Sequence, residues 1–100
     1  RLVGMYDTIA LVDGKLPDAM GRAETDGGKF EVTLANFSGI AYVRYTAGLK
    51  TMGEMKKTGT MLTANEKGAF GADGLTGGWY TVYIQTDKRD YILLQIYVNS

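Results

Sequence analysis

Histidine and cysteine are both absent from this chain of 100 residues. Their absence excludes Ser-His-Asp and Cys-His nucleophilic systems, thiol redox chemistry, and metal sites built on imidazole or thiolate ligands. Carboxylates or a lysine would catalyse only inside a pocket that desolvates them. We therefore expect neither enzymatic activity nor a cofactor, and a carboxylate-based enzyme is the remaining catalytic alternative.

Long apolar runs and an excess of one charge are also missing. No stretch approaches the ~18 consecutive apolar residues that a membrane-spanning helix needs, and the formal charge is zero, with 11 basic and 11 acidic residues. Nucleic-acid binders usually carry a basic excess, because neutralising phosphates supplies much of their affinity. We therefore expect no membrane span and no nucleic-acid partner.

Proline occurs once, whereas glycine occurs 14 times, which indicates many tight turns. The composition is ordinary for a globular protein, and the length predicts one domain over residues 1–100. The chain begins at Arg1 rather than at a methionine. That favours a secreted or periplasmic protein or an excised fragment, and the sequence does not choose between them.

The end of the chain gives the strongest structural signal. Residues 79–86 and 91–98 are both rich in β-branched and aromatic side chains, and the charged residues 87–90 separate them. This pattern predicts a β-hairpin with a polar tip.

Four further segments read as strands, namely residues 2–12, 29–35, 40–46 and 58–64. Many short strands separated by turn signals predict an all-β fold, a small antiparallel barrel or sandwich of six to eight strands. The alternative is an α+β roll, because Leu49, Met52 and Met55 have the spacing of a short amphipathic helix within residues 48–57.

The predicted hairpin has two different faces, because successive side chains of a strand alternate between them. The apolar face consists of Tyr80, Val82, Ile84, Ile92, Leu94 and Ile96. The opposite face includes Tyr83, Gln85, Tyr91, Gln95 and Tyr97. Tyrosines are enriched on surfaces that a partner later covers, so this second face is a candidate interface. The competing interpretation is that a loop of the same domain covers these tyrosines.

Two short segments resemble the lipocalins and the wider calycin group of up-and-down β-barrels. Residues 2–6 are similar to the family's opening Gly-x-Trp strand, with Tyr6 in place of tryptophan, and Thr86, Asp87 and Tyr91 are similar to its Thr-Asp-Tyr hairpin. The resemblance implies a cup that binds a small apolar molecule. Its lining would be the apolar face of the hairpin.

Two functions from different classes follow. The first is a non-enzymatic binding module that contacts a protein partner, or other copies of itself, through the tyrosine-glutamine face. The alternative is a carrier that holds a small apolar ligand in a calyx lined by the apolar face.

Overall fold

The computed structural model describes residues 8–100, which form a sandwich of two β-sheets with one helical turn. The strands are β1 (Ile9–Val12), β2 (Arg22–Thr25), β3 (Phe30–Ala35), β4 (Ala41–Ala47), β5 (Thr60–Leu62), β6 (Phe70–Ala72), β7 (Gly78–Thr86) and β8 (Tyr91–Val98). The helical turn, α1, spans Met52–Met55 and lies between β4 and β5.

One sheet has three strands in the order β1-β3-β6, and the other has five in the order β2-β8-β7-β4-β5. All pairs are antiparallel except β2 with β8, which is parallel. The long strand β7 is the middle of the larger sheet. Its neighbours β8 and β4 pair with it over most of its length.

The predicted hairpin is confirmed, with β7 and β8 joined at residues 87–90. Thr86 organises its tip, because its hydroxyl accepts the backbone N–H groups of Lys88 at 3.2 Å and Asp90 at 3.1 Å. Such side-chain contacts to nearby backbone favour a turn over continued strand pairing.

The core lies between the two sheets. Val82, Ile84 and Ile96 are fully buried from the larger sheet, and Phe30 and Val32 face them from the smaller one. Alternation along each strand produces this arrangement, since every second side chain of β3, β7 and β8 points to the same face. Burial of these large apolar side chains is the main favourable contribution to folding.

Strand β2 was missed by the sequence analysis, because its residues Arg22–Thr25 carry two charged side chains and only one apolar one. It lies at the edge of the larger sheet, where polar side chains remain solvated. Gly21 leads into it with φ +76°, and a Cβ there would lie 2.9 Å from the carbonyl oxygen of Leu93. Only glycine permits this close approach to β8.

A connection of twelve residues joins β4 to β5 and contains α1. The turn begins with a capping box: the Thr51 hydroxyl accepts the Glu54 N–H, and the Glu54 carboxylate accepts the Thr51 N–H. These hydrogen bonds lower the pKa of Glu54. Gly59 ends the connection with φ +99°, and a Cβ there would lie 2.9 Å from the carbonyl oxygen of Tyr45.

The all-β prediction is confirmed, and the sandwich rather than the barrel is the observed form. The two sheets of the described part of the chain do not join into a closed barrel. The helix predicted within residues 48–57 is a single helical turn in the structure, so the fold remains all-β. Strand β5 is shorter than the predicted 58–64, and β6 lies in a glycine-rich stretch for which no strand was predicted. Residues 2–7 of the first predicted strand, with the Gly-x-Trp-like segment, lie outside the described residues.

Replacing Ile84 by alanine should lower the free energy of unfolding by about 2–5 kcal/mol, through lost burial and a cavity at the centre of the core. The exposed neighbour Gln85 is the control, and Gln85→Ala should change stability by less than about 0.5 kcal/mol. Urea denaturation followed by circular dichroism measures both. Equal losses from the two variants would show that the faces of β7 are assigned wrongly.

Candidate functional site

The candidate site is the face of the five-stranded sheet that points away from the core, which we call the outer face. Strand register arranges its side chains in cross-strand rows. From the hairpin tip towards the opposite end, the rows are Tyr42–Gln85–Tyr91, Met61–Arg44–Tyr83–Leu93, Thr46–Thr81–Gln95–Arg22 and Trp79–Tyr97–Glu24.

At the end of the outer face farthest from the hairpin tip, three side chains form what we call the aromatic cluster. Trp79 and Tyr97 are directly opposite in β7 and β8, and their ring centroids lie 5.3 Å apart in an edge-to-face arrangement. The Arg22 guanidinium lies 5.9 Å from the centre of the Trp79 ring, and its Nε donates to Gln95 Oε1 at 3.1 Å. Both rings stay more than one third exposed, Trp79 at 36% and Tyr97 at 37%.

The middle of the outer face is covered by the β4–β5 connection. The Thr81 hydroxyl donates to the Gly48 carbonyl at 2.7 Å and accepts the Lys50 N–H at 2.9 Å, which fastens the start of the connection to β7. Met55 of α1 is fully buried, although it does not belong to the cluster between the sheets. The connection therefore acts as a partial third layer.

Between this covered region and the hairpin tip, the outer face forms an open cavity of about 460 Å³, which we call the tyrosine groove. It is lined by Tyr42, Arg44, Lys56, Met61, Tyr83, Gln85 and Tyr91. Its volume lies within the range of small-ligand sites, about 300–1,000 Å³. None of its lining residues is a carboxylate.

The structure corrects the assignment of Tyr83 to an exposed interface, because this side chain is only 3% exposed. Its hydroxyl is buried and has no hydrogen-bond partner within residues 8–100. Burial, and to a smaller degree the neighbouring Tyr91, raise the pKa of this phenol, and Arg44 partly opposes them. The phenol is therefore protonated at neutral pH and available as a donor.

Arg44 is the fixed cation of the tyrosine groove. Its Nε donates to Met61 Sδ at 3.2 Å, and its Nη1 donates to the Lys56 carbonyl at 3.4 Å. These contacts hold the guanidinium in place and leave Nη2 without a hydrogen-bond acceptor among the described residues. The exposed Lys56 ammonium lies 6.0 Å from the centre of the Tyr91 ring.

The other predicted interface residues lie on the outer face as expected from strand alternation. Gln85, Tyr91 and Tyr97 are exposed. Gln95 is partly buried, and its Oε1 accepts a hydrogen bond from Arg22. They do not form one continuous row, because the covered middle separates Gln85 and Tyr91 from Tyr97. The predicted interface is therefore divided into the tyrosine groove and the aromatic cluster.

The six residues assigned to a ligand calyx occupy the core instead. Tyr80, Val82, Ile84, Leu94 and Ile96 are buried between the sheets, and Ile92 packs against them. None of them lines the grooves found in the described part of the chain. The apolar face of the hairpin was thus identified correctly, but side chains of the smaller sheet fill the space that a ligand would need.

A second groove, of about 590 Å³, includes Asp13, Glu31 and Asp73. Their side chains are exposed, and the Asp13 carboxylate accepts the backbone N–H of Glu31 at 2.9 Å. Exposed carboxylates lack the desolvation that carboxylate catalysis uses. No group of three or more carboxylates in residues 8–100 is arranged to hold a metal ion.

Sequence reasoning missed the outer-face residues of β2, β4 and β5, among them Arg22, Tyr42 and Arg44, and it also missed Trp79 of β7. Trp79 lies an even number of positions before Tyr83 and Gln85 on the same predicted strand, so strand alternation was sufficient to place it on this face. The alternation of Tyr42, Arg44 and Thr46 with Ala41 and Val43 was the available signal in β4. Arg22 had none, because β2 itself was not recognised.

No protein-family model matches the chain, and no curated protein matches it. The resemblance to lipocalins therefore stays a prediction. Within residues 8–100, no helix is long and apolar enough to cross a membrane.

Tyr83→Phe should leave the free energy of unfolding unchanged or raise it by up to about 1 kcal/mol, because it removes an unsatisfied buried hydroxyl. Tyr80→Phe is the matched control on the same strand. Its hydroxyl donates to the Thr76 carbonyl at 2.8 Å, and its loss should cost about 0.5–1.5 kcal/mol. Urea denaturation at pH 7 compares the two variants, and equal losses would mean that the Tyr83 hydroxyl has a partner.

Alkaline pH should destabilise the wild type more than Tyr83→Phe. The pKa of Tyr83 is raised in the folded state, so the folded chain retains its phenol proton more strongly than the unfolded chain. The resulting contribution to the free energy of unfolding is fully present below the pKa of about 10 that the phenol has in the unfolded chain. It is lost as the pH rises through the higher pKa of the folded chain. Denaturation from pH 8 to about pH 11 measures the difference, and parallel curves would contradict the raised pKa.

Proposed function

We propose that this chain is a non-enzymatic binding module that contacts a protein partner through the outer face of its five-stranded sheet. The observation that carries the proposal is the aromatic cluster, in which Trp79 packs edge-to-face on Tyr97 and lies below the Arg22 guanidinium, while all three side chains remain exposed.

The composition of the aromatic cluster supports this proposal. Tryptophan, tyrosine and arginine are the residues most enriched among those that dominate binding energy at protein interfaces. The aromatic rings offer a large contact area with few rotatable bonds, so little conformational entropy is lost on binding. Their mutual contacts and the paired strands β2, β7 and β8 hold them in place before a partner arrives.

Charge favours a partner that differs from the chain itself. The chain is neutral as a whole, but the outward side chains of the strands include Arg22 and Arg44 against the single carboxylate of Glu24. That carboxylate is already bound by the Asn99 amide at 2.7 Å. Two copies meeting through this face would bring like charges together, whereas an acidic partner would complement them.

The carrier hypothesis receives less support. The residues that would line its calyx are packed between the sheets, and the space between them is occupied by the core. A small apolar ligand would have to displace well-packed side chains, which is costly in a dense interior.

Replacing Trp79 by alanine should weaken binding of the partner by about 2 kcal/mol or more, roughly 30-fold, as for other central aromatic residues of interfaces. The partner is obtained by cross-linking to the wild-type chain in an extract of its source cells, then purified and titrated calorimetrically. Leu16→Ala is the control, because Leu16 is 70% exposed in a loop outside the outer face.

Similar affinities of wild type and Trp79→Ala for the purified partner would contradict the proposed surface. Sedimentation of the chain alone tests the alternative. A dimer that Trp79→Ala dissociates would show that the outer face binds a second copy rather than an acidic protein.

A further inference from the structure

Among the features of the outer face, the tyrosine groove combines three properties that point to a ligand. It holds a cation fixed by hydrogen bonds, Arg44, and an exposed one, Lys56; its lining has no carboxylate; and the Tyr83 hydroxyl at its base is buried without a hydrogen-bond partner within residues 8–100. Native proteins rarely leave a buried polar atom unpaired, so such an atom calls for a physical explanation.

We infer that the tyrosine groove is a carboxylate-binding subsite, which receives an acidic side chain of the partner together with a flanking aromatic or apolar group. The Nη2 group of Arg44, the Tyr83 hydroxyl and the Lys56 ammonium are its donors. This inference rests on the proposed function for the identity of the partner and adds the chemistry that the partner must present.

The donors favour an oxyanion over a neutral group. At neutral pH a guanidinium, an ammonium and a phenol all donate hydrogen bonds, and the first two also carry a positive charge. Hydrogen bonds between such donors and an anion are about twice as strong as neutral ones. The neutral Gln85 amide is the only side chain of the groove, besides the tyrosine hydroxyls, with an oxygen that would accept a bond.

The number of charges favours a carboxylate over a phosphate. Arg44 is the only cation of the groove whose side chain two hydrogen bonds hold in position, whereas the Lys56 side chain is exposed to solvent. One fixed positive charge balances the single negative charge of a carboxylate. A phosphate monoester carries nearly two at neutral pH.

The remaining walls of the groove favour an aromatic or apolar group beside the carboxylate. Tyr42 and Tyr91 are about half exposed, at 51% and 49%, and Met61 is 47% exposed. The volume of about 460 Å³ exceeds what a simple anion fills. The Tyr83 hydroxyl is buried, so the exposed side chain of Lys56 has to move aside for a carboxylate to reach it, while Met61 keeps its contact with Arg44.

Phenylacetate is the test probe, and phenylacetamide is its neutral counterpart of nearly the same shape. Titration of the isotope-labelled wild-type chain, followed by amide chemical shifts, should show phenylacetate at β4, β7 and the start of β8, with a Kd of about 1–10 mM for so small a fragment. Phenylacetamide should bind about tenfold more weakly, because it lacks the charge.

Arg44→Gln and Tyr83→Phe should each weaken phenylacetate binding several-fold, and Arg22→Gln is the matched control at the other end of the same face. Tyr83→Phe is expected to keep its stability, so it remains informative if Arg44→Gln unfolds. Equal binding of acid and amide, or shifts confined to other regions, would overturn the subsite. Tighter binding of phenyl phosphate by tenfold or more would overturn the choice of carboxylate.

This test is independent of the aromatic cluster. Trp79→Ala should leave phenylacetate binding unchanged even though it weakens binding of the protein partner. Loss of fragment binding in Tyr83→Phe with no effect of Trp79→Ala on the partner would therefore refute the proposed interface while retaining the subsite. The reverse result would refute the subsite alone.

Discussion

Burial of strand β7 on both faces is the constraint on which the rest of the structure depends. Residues Tyr80 to Ile84 are all buried. One set of side chains enters the core; on the other face Thr81 lies beneath the start of the β4–β5 connection, and Tyr83 lies at the base of the tyrosine groove. A central strand covered on both sides holds its neighbours in a fixed register. That register decides which side chains of β2, β4, β5 and β8 meet in each row of the outer face.

The same connection determines which parts of the outer face are open to solvent. Thr81 is the point of attachment, since a hydroxyl that both donates and accepts fixes the position of Gly48 and Lys50 together. Where the connection covers the sheet, the outer face is not accessible. Where the connection stops, Arg44 and Tyr83 line the tyrosine groove. One loop thus both stabilises the sheet and shapes its surface, which is how loops on rigid scaffolds commonly acquire function.

The final hairpin could be predicted from the sequence because its signal is local. Alternation in residues 79–98 identified both strands and correctly separated the core residues, such as Ile84 and Ile96, from outward ones such as Tyr97. The burial of Tyr83 could not be predicted, since it depends on neighbours such as Arg44 that only the pairing of β4 with β7 brings beside it. Strand β2 was missed because its pairing with β8 comes entirely from tertiary contact and not from its own residues.

The parallel pairing of β2 with β8 has a consequence for how the molecule acquires its surface. Arg22 and Gln95 are separated by 73 positions along the chain, and contacts between such distant residues require closure of a long loop. A chain emerging from the ribosome therefore lacks the Arg22–Trp79–Tyr97 arrangement until β8 has been synthesised. The β7–β8 hairpin alone brings Trp79 to Tyr97 but not to Arg22, so a partner that required the whole cluster, as proposed, would bind only the folded chain.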